Sequence, residues 1–482
     1  MSSEPASSGQ LQPPNGSMPF DVFATRVLYV VALGVGCLSK VQGDLWWLLR
    51  AGKDIWHTQH VSLVDHFSST AAGRYWPNHE WLWEVIAYAL HAVGGLPLLT
   101  AVTGLTIAAT VVVLRHVVPV TGYVVPIVMG AALPLMSITW TIRPEVTSLL
   151  LLAVTLFLVT HDRVVWIPPM FLLWANLHGE VAVGGVLLAV ITVGAVAEAL
   201  RFRTPEARVR ASRLTVVLAA SALATLATPL RGRLWTYVLG AGNRPQQNRI
   251  AEWATAFHLT VPAVLLWVPL VGAIILGILR RDRLASWSTR VPAYAACSMV
   301  PLALLAVRNV PFFVAAAVPL YLVLLEFHPR TPIGRVPRAR TILVGGTVAT
   351  AAAVATIWVA APQALQWTPV SDRLAEAVRS CPGQLYNDYD EGAALVWWVP
   401  DVAVFVDNRQ DPYPADVVDA AGGLDAMSYP AVFQRWHIRC AMVPASEPLE
   451  AALLHDGWRT TYSDGSTTVL VPSSPRATDA TK

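Results

Sequence analysis

Asp44 lies where a long apolar run, residues 24–43, gives way to Asp44-Leu45-Trp46-Trp47-Leu48-Leu49-Arg50-Ala51-Gly52. An acid at the mouth of a bilayer-spanning helix is costly, so it points to function, and a carboxylate there can act as a general base. Farther along the same loop, Asn78-His79-Glu80-Trp81-Leu82 adds an imidazole and a second carboxylate. His79 and Glu80 can position a substrate, share a metal ion with Asp44, or simply cap the helix that follows. Three later stretches also set ionisable groups at the ends of apolar runs: Arg143-Pro144-Glu145, His178-Gly179-Glu180 and the lone Arg308. For Arg143 and Glu145 a local ion pair is the plainest account. The tight hairpin at His178 and Glu180 needs Gly179 for its turn, but it needs neither the His nor the Glu. These residue types describe an acid–base and anion-binding site assembled from loops on one face of a membrane.

The elements that must hold such a site follow from composition. Of 482 residues, 55% are hydrophobic and 13% charged, against about 25% charged in an ordinary soluble chain. The apolar residues come in runs of spanning length, so the chain is a mainly α, polytopic membrane protein. Lys occurs only at 40, 53 and 482, and this preference for Arg points to a GC-rich bacterial genome. The net charge of +3 is segregated by loop and says little about partners; no nucleic-acid partner is expected. Three Arg-rich loops, at 201–213, 280–290 and 330–340, are cytoplasmic by the positive-inside rule, with two apolar segments between neighbours.

Spans are then expected near 24–43, 97–114, 121–139, 145–160, 164–177, 181–200, 214–229, 261–279, 291–307, 311–327 and 341–360, about eleven in all. The N-terminus is inside and the C-terminus outside. Parity requires that residues 79–93 do not cross. Glu80, Glu84 and His91 share one face of that segment, which reads as an amphipathic helix in the interface plane. Residues 1–22 are expected as a disordered cytoplasmic tail and 23–360 as the transmembrane domain, with its first outer loop at 44–96. Residues 361–473 follow as an extracytoplasmic α/β domain and 474–482 as a disordered tail. In the α/β domain, residues 385–387, 403–406 and 440–443 read as strands, and 458–462 with 467–471 as a closing hairpin. Cys381 and Cys440 can pair there if the domain is outside the cytoplasm, or remain buried free thiols.

With these landmarks the chain resembles the GT-C class of integral-membrane glycosyltransferases. The shared plan is a first span followed by an Asp, a long first outer loop with an in-plane helix, about eleven spans, and the C-terminus outside. The layout is similar to that of protein O-mannosyltransferases and aminoarabinose transferases. It is closer to a group of bacterial GT-C-like proteins of mostly unassigned substrate. The matching landmarks are Asp44 to Gly52, Asn78-His79-Glu80-Trp81-Leu82, Arg143-Pro144-Glu145, Trp174-Ala175-Asn176-Leu177-His178-Gly179-Glu180 and Arg308-Asn309-Val310-Pro311-Phe312-Phe313. The resemblance covers roughly residues 20–410 and rests on the order and side of these five motifs. It implies transfer of a sugar from a polyprenyl-phosphate donor to a glycan, lipid or protein acceptor on the outer face of a bacterial plasma membrane. It also implies a first-loop Asp that activates or orients the acceptor, sometimes through a divalent cation such as Mg or Mn. Leu45 after Asp44 departs from the paired acids of the O-mannosyltransferases.

Under that resemblance Asp44 is the catalytic base, and His79 and Glu80 are its acceptor or metal partners. Arg244, Arg249 and Arg308 bind the donor phosphate, while Arg50, Trp76, Arg143, Glu145, His178, Glu180 and Glu252 line the cavity. The outer loop at 230–260 carries Arg231, Arg233, Arg244 and Arg249 against the charge bias, which asks for an anionic partner, either donor phosphate or anionic lipid. Plainer accounts exist for several residues: Arg50 as a headgroup contact, and Trp76 in an aromatic belt rather than on a sugar ring. The stretches Asn387 to Gly392 and Asp407 to Asp411 line an acceptor groove or form surface turns. A transporter or lipid flippase would need polar residues or broken helices at mid-span; the mid-span residues here are nearly all Ala, Val, Leu and Gly. A GT-C scaffold that has lost catalysis and serves cell-envelope assembly would keep the same landmarks.

Overall fold

The computed structural model describes residues 17–240, 251–257, 261–327 and 334–473. Arg244 and Arg249 fall outside the described residues. A two-residue strand, β1 (Met18–Pro19), leads into α1 (Phe20–Gly36) and pairs antiparallel with β2 (Arg335–Val336). Next come α2 (Asp44–Thr58), α3 (Trp81–His116), α4 (Val124–Met136), α5 (Pro144–Thr160), α6 (Ile167–Leu177) and α7 (Val181–Phe202). The series continues with α8 (Pro205–Ala224), α9 (Arg233–Gly240), α10 (Val261–Leu279), α11 (Trp287–Leu305), α12 (Val310–Leu324) and α13 (Ala339–Ala360). Helices suit these sequences because a segment in hydrocarbon must satisfy its own backbone groups. Four stretches are long and apolar enough to cross a bilayer, Trp81–His116, Val181–Phe202, Val307–Leu324 and Ala339–Ala360, and four further apolar helices are shorter. The most enclosed is α12, whose Phe312 and Phe313 are buried among α4, α5, α10 and α11.

Two boundaries differ from those expected from the sequence, and both concern the site. α1 ends at Gly36, so Asp44 does not close the first span; Ser39, Lys40 and Gln42 interrupt the apolar pattern, the chain turns, and Asp44 opens α2. A carboxylate at that position meets the positive end of the helix dipole. At the other end of the loop, α3 is two limbs joined at Gly95, whose φ of 62° and ψ of −160° lie outside helical space. Only Gly adopts that backbone without strain, and Pro97 follows two residues on. The first limb, residues 81–94, runs beside α2, where the in-plane helix was expected.

After α13 come α14 (Asp372–Arg379), β3 (Gln384–Asn387), α15 (Tyr389–Trp398), α16 (Ala415–Ala421), α17 (Tyr429–Arg435), β4 (Ile438–Pro444), α18 (Pro448–His455), β5 (Trp458–Ser463) and β6 (Thr467–Pro472). The sheet order is β3-β4-β6-β5, with β3 parallel to β4 and the other pairs antiparallel. Residues 403–406, expected as a strand, make a single bridge, Val404 to Ser68. The Asn387 side chain takes the place of a ladder here, donating to Val406 O (2.8 Å) and accepting from Phe405 N–H (2.8 Å). Cys381 and Cys440 form a disulfide with Cα atoms 5.5 Å apart, tying the end of α14 to β4.

This C-terminal unit shares its core with the first outer loop. Leu45, Trp46, Leu48 and Leu49 of α2 are buried in one apolar cluster with Leu374, Leu385, Leu395, Val404 and Val469. A buried ion-pair clasp reinforces the seam. Arg409 bonds Asp407 (2.7 Å) and Asp65 of the loop (2.5 Å), with its guanidinium 4.7 Å from the Phe67 and Trp76 ring centres. Full pairing and aromatic faces let such a charge stay buried.

Candidate active site

α2, α3, α5, the α6–α7 turn and the α11–α12 turn bring their ionisable residues to one place. Arg143, the residue before α5, donates to Asp44 at the start of α2. Its other terminal nitrogen lies 3.6 Å from both Glu145 and Glu252. Arg308 donates to Glu145, lies 3.5 Å from Glu180, and stacks 4.8 Å from the ring centre of Trp253. His178 continues the chain, with Nδ1 3.2 Å from Glu180 and Nε2 3.4 Å from Glu80. Glu80 in turn is 3.1 Å from His79 Nε2. Nine residues from five places in the sequence thus form one connected network.

Local structure fixes each ring. His79 Nδ1 is 3.0 Å from the Pro77 carbonyl, which can only accept, so Nδ1 carries the proton and Nε2 faces Glu80. A neutral ring would aim a lone pair at a carboxylate, so this contact calls for a cation: a second ring proton or a metal ion. Ser148 Oγ lies 2.9 Å from His178 Nδ1 and accepts from Trp174 N–H at 2.9 Å. Trp81 N–H donates to Asn176 Oδ1 (2.8 Å), pinning the start of α3 to α6. Gly179 has a place here other than the turn expected of it. Its φ is not left-handed, but a Cβ would sit 2.8 Å from His79 Cδ2, so Gly lets the imidazole approach.

The electrostatics follow from burial and crowding. Burial raises the pKa of Asp44, Glu145 and Glu252 add to the rise, and Arg143 opposes it. For Glu80 burial pushes the same way, but His79 and His178 outweigh it and lower the pKa to about 2. His79 titrates above its ordinary range, because Glu80 overcomes the opposing effect of burial. Within the network, five carboxylates (Asp44, Glu80, Glu145, Glu180, Glu252) meet two guanidiniums. Among the described residues the set that could hold a metal ion is His79, Glu80 and His178, whose ligand atoms lie within 4.8 Å of one another. His178 thus stands where the sequence pointed to Asp44, because the Asp44 carboxylate is turned to Arg143.

Two residues expected in the cavity are elsewhere. Arg50 pairs with Asp54 (3.1 Å) and donates to the Val396 carbonyl (3.1 Å), joining α2 to α15. Trp76 is buried between Trp47, Phe67 and Arg409, where no sugar ring could stack on it. Conversely, Ser148, Trp174, Asn176 and Tyr237 were not singled out from the sequence. Ser148 lies one helical turn after Glu145 and Trp174 one turn before His178, a spacing that places each pair on one face. Nothing local marks Tyr237, whose ring lies 4.7 Å from His79 and whose hydroxyl donates to Asp411 (2.9 Å).

By sequence, no family model matches the chain and no curated protein matches it. Its shape is similar to two solved membrane enzymes. One is ArnT from Cupriavidus metallidurans in the apo state, at a TM-score of 0.51 and 14% identity over 94% of this chain and 97% of that one. The other is the Archaeoglobus fulgidus oligosaccharyltransferase tethered with an acceptor peptide, at 0.50 and 11% over 93% and 74%. At such identities the likeness establishes the fold alone. The chain has the GT-C fold, the architecture of that superfamily of membrane glycosyltransferases.

Proposed function

We propose that the protein is a glycosyltransferase of a bacterial plasma membrane, moving a sugar from a polyprenyl-phosphate donor to an acceptor on the extracytoplasmic face. The observation that carries the proposal is Asp44: a carboxylate at the start of α2, held by Arg143, at the head of a network built from outer loops on a GT-C fold. Its raised pKa suits a general base better than an ordinary surface Asp would. Asp44 takes the proton of the acceptor hydroxyl as that oxygen attacks the sugar carbon and the donor phosphate leaves. Arg143 orients the carboxylate. It also offers the departing phosphate a cation once Glu252, its most exposed partner, swings aside. Arg308 holds Glu145 and Glu180 in place and is the second cation within reach of a phosphate.

The residues at His79, Glu80 and His178 fit a divalent cation. Two imidazoles and one carboxylate suit Mn or Zn better than Mg, which prefers oxygen ligands. When bound, such an ion supplies positive charge to a network rich in carboxylates and helps stabilise a phosphate. Topology supports the outer location: the Arg-rich loops lie on the opposite side in sequence parity, and the Cys381–Cys440 disulfide suits an oxidising compartment.

The test is Asp44→Asn in membranes supplied with polyprenyl-phosphate sugars. Transfer, or hydrolysis of the donor in the absence of acceptor, is expected to fall by about 10²–10⁴-fold with unchanged accumulation and melting temperature. Retention of full activity in that variant removes the proposal.

A further inference from the structure

Beside His79 a cavity of about 500 Å3 opens between the first outer loop, α9 and the C-terminal unit. That size is within the range of small-ligand sites, about 300–1,000 Å3. Its walls are Tyr75, Arg233, Thr236, Tyr237, Gln410 and Asp411, with Pro77 the one wholly apolar contributor among the described residues. A prenyl or acyl chain would leave these polar groups without partners, whereas a hydroxylated ring pairs with them. Tyr237 links the cavity to the proposed catalytic network, since its ring lies 4.7 Å from His79 and its hydroxyl bonds Asp411.

Arg233 sets the charge preference. Its guanidinium lies 5.9 Å from the Tyr75 ring centre, and it makes no ion pair among the described residues. Arg143, Arg308 and Arg409 are all committed to carboxylates. A guanidinium backed by an aromatic face keeps its N–H edge for a planar or tetrahedral anion. We propose that this cavity binds the acceptor as an anionic saccharide, with Arg233 gripping its carboxylate or phosphate and Tyr237 and Asp411 facing its hydroxyls. The proposal rests on the transferase reading and names the acceptor class that reading leaves open.

The full chain in phosphatidylethanolamine–phosphatidylglycerol nanodiscs is titrated calorimetrically with trigalacturonate against maltotriose, and with maltose 1-phosphate against maltose. Citronellyl phosphate, a soluble prenyl phosphate, serves as the donor-headgroup probe. At least one anionic saccharide is expected to bind about tenfold or more tightly than its neutral counterpart, and which one does so separates carboxylate from phosphate recognition. Arg233→Ala and Arg233→Gln are expected to erase that preference while leaving citronellyl phosphate unaffected; the exposed position makes misfolding a poor explanation. The proposal is overturned if neither anionic saccharide outbinds its counterpart, or if the preference survives both substitutions. It is also overturned if Arg233→Ala weakens citronellyl phosphate, which would assign the cavity to the donor. Saccharide binding is expected to persist in Asp44→Asn, so failure here and failure of the transferase reading are read from separate measurements.

Discussion

Around His178, five carboxylates share their space with two guanidiniums and two imidazoles. At the start of α15, Asp388 and Glu391 instead face Glu447 and Asp390, with the hydroxyls of Tyr386 and Thr467 as their polar partners. Burial raises the pKa of an acid in both places, yet the outcomes diverge. Glu80 falls to about 2, because the imidazoles outweigh burial. Asp388 rises to about 7 and Glu391 to about 8, because their neighbouring acids add to it. The first region stores charge at neutral pH and the second stores protons. An acid-rich stretch therefore says little about chemistry until the cations beside it are known.

The sharpest way to break the contrast is to remove a cation from the first region. Arg143→Ala leaves Asp44, Glu145 and Glu252 without their shared partner. Stripping one member from a buried ion-pair set costs about 3–5 kcal/mol, so a large fall in melting temperature or failure to accumulate is expected. Glu252→Gln removes the most exposed acid of the same group and is expected to cost less than about 1 kcal/mol. If thermal unfolding finds both variants equally stable, the network is not compensated as described.

A milder intervention asks whether a metal ion completes that compensation. His178→Ala is expected to lower bound Mn or Zn in the purified chain by about 10-fold or more, read by elemental analysis. Ser148→Ala, which removes a contact to His178 Nδ1, is expected to lower it less. Equal metal content in wild type and His178→Ala would leave a protonated His79 as the cation beside Glu80.

Much of the first region was legible in the sequence, because every member sits at the end of an apolar run, where an ionisable residue stands out. Asp44, His79, Glu80, Arg143, Glu145, His178, Glu180, Glu252 and Arg308 were all singled out, and the fold gathers them. What could not be read was the pairing. Whether Asp44 faces His79 or Arg143 depends on where α1 ends, and apolar patterning does not fix the turn after Gly36. Arg50 and Trp76 misled for the same reason: they share a loop with the site, but α15 and Arg409, distant in sequence, claim them. The sheet hairpin was legible from alternation and from Asp464-Gly465, whereas residues 403–406 have strand composition and lose the ladder to the Asn387 side chain.

The smallest effect expected, and the most direct on the second region, is on pH dependence. Asp388 and Glu391 have folded pKa values above their ordinary ones, so the native chain holds protons that the unfolded chain releases. Stability then falls as pH rises from about 4, the unfolded range, through about 8. Asp388→Asn and Glu391→Gln are neutral at every pH and remove that slope. Each is expected to raise the melting temperature by roughly 2–4 °C at pH 9 and to change it little at pH 4. Compensated acids predict the reverse sign, with stability lost on acidification as Glu80 protonates below its ordinary range. A gain at pH 4 that vanishes at pH 9 would place cations beside Asp388 and Glu391 and erase the contrast between the two regions.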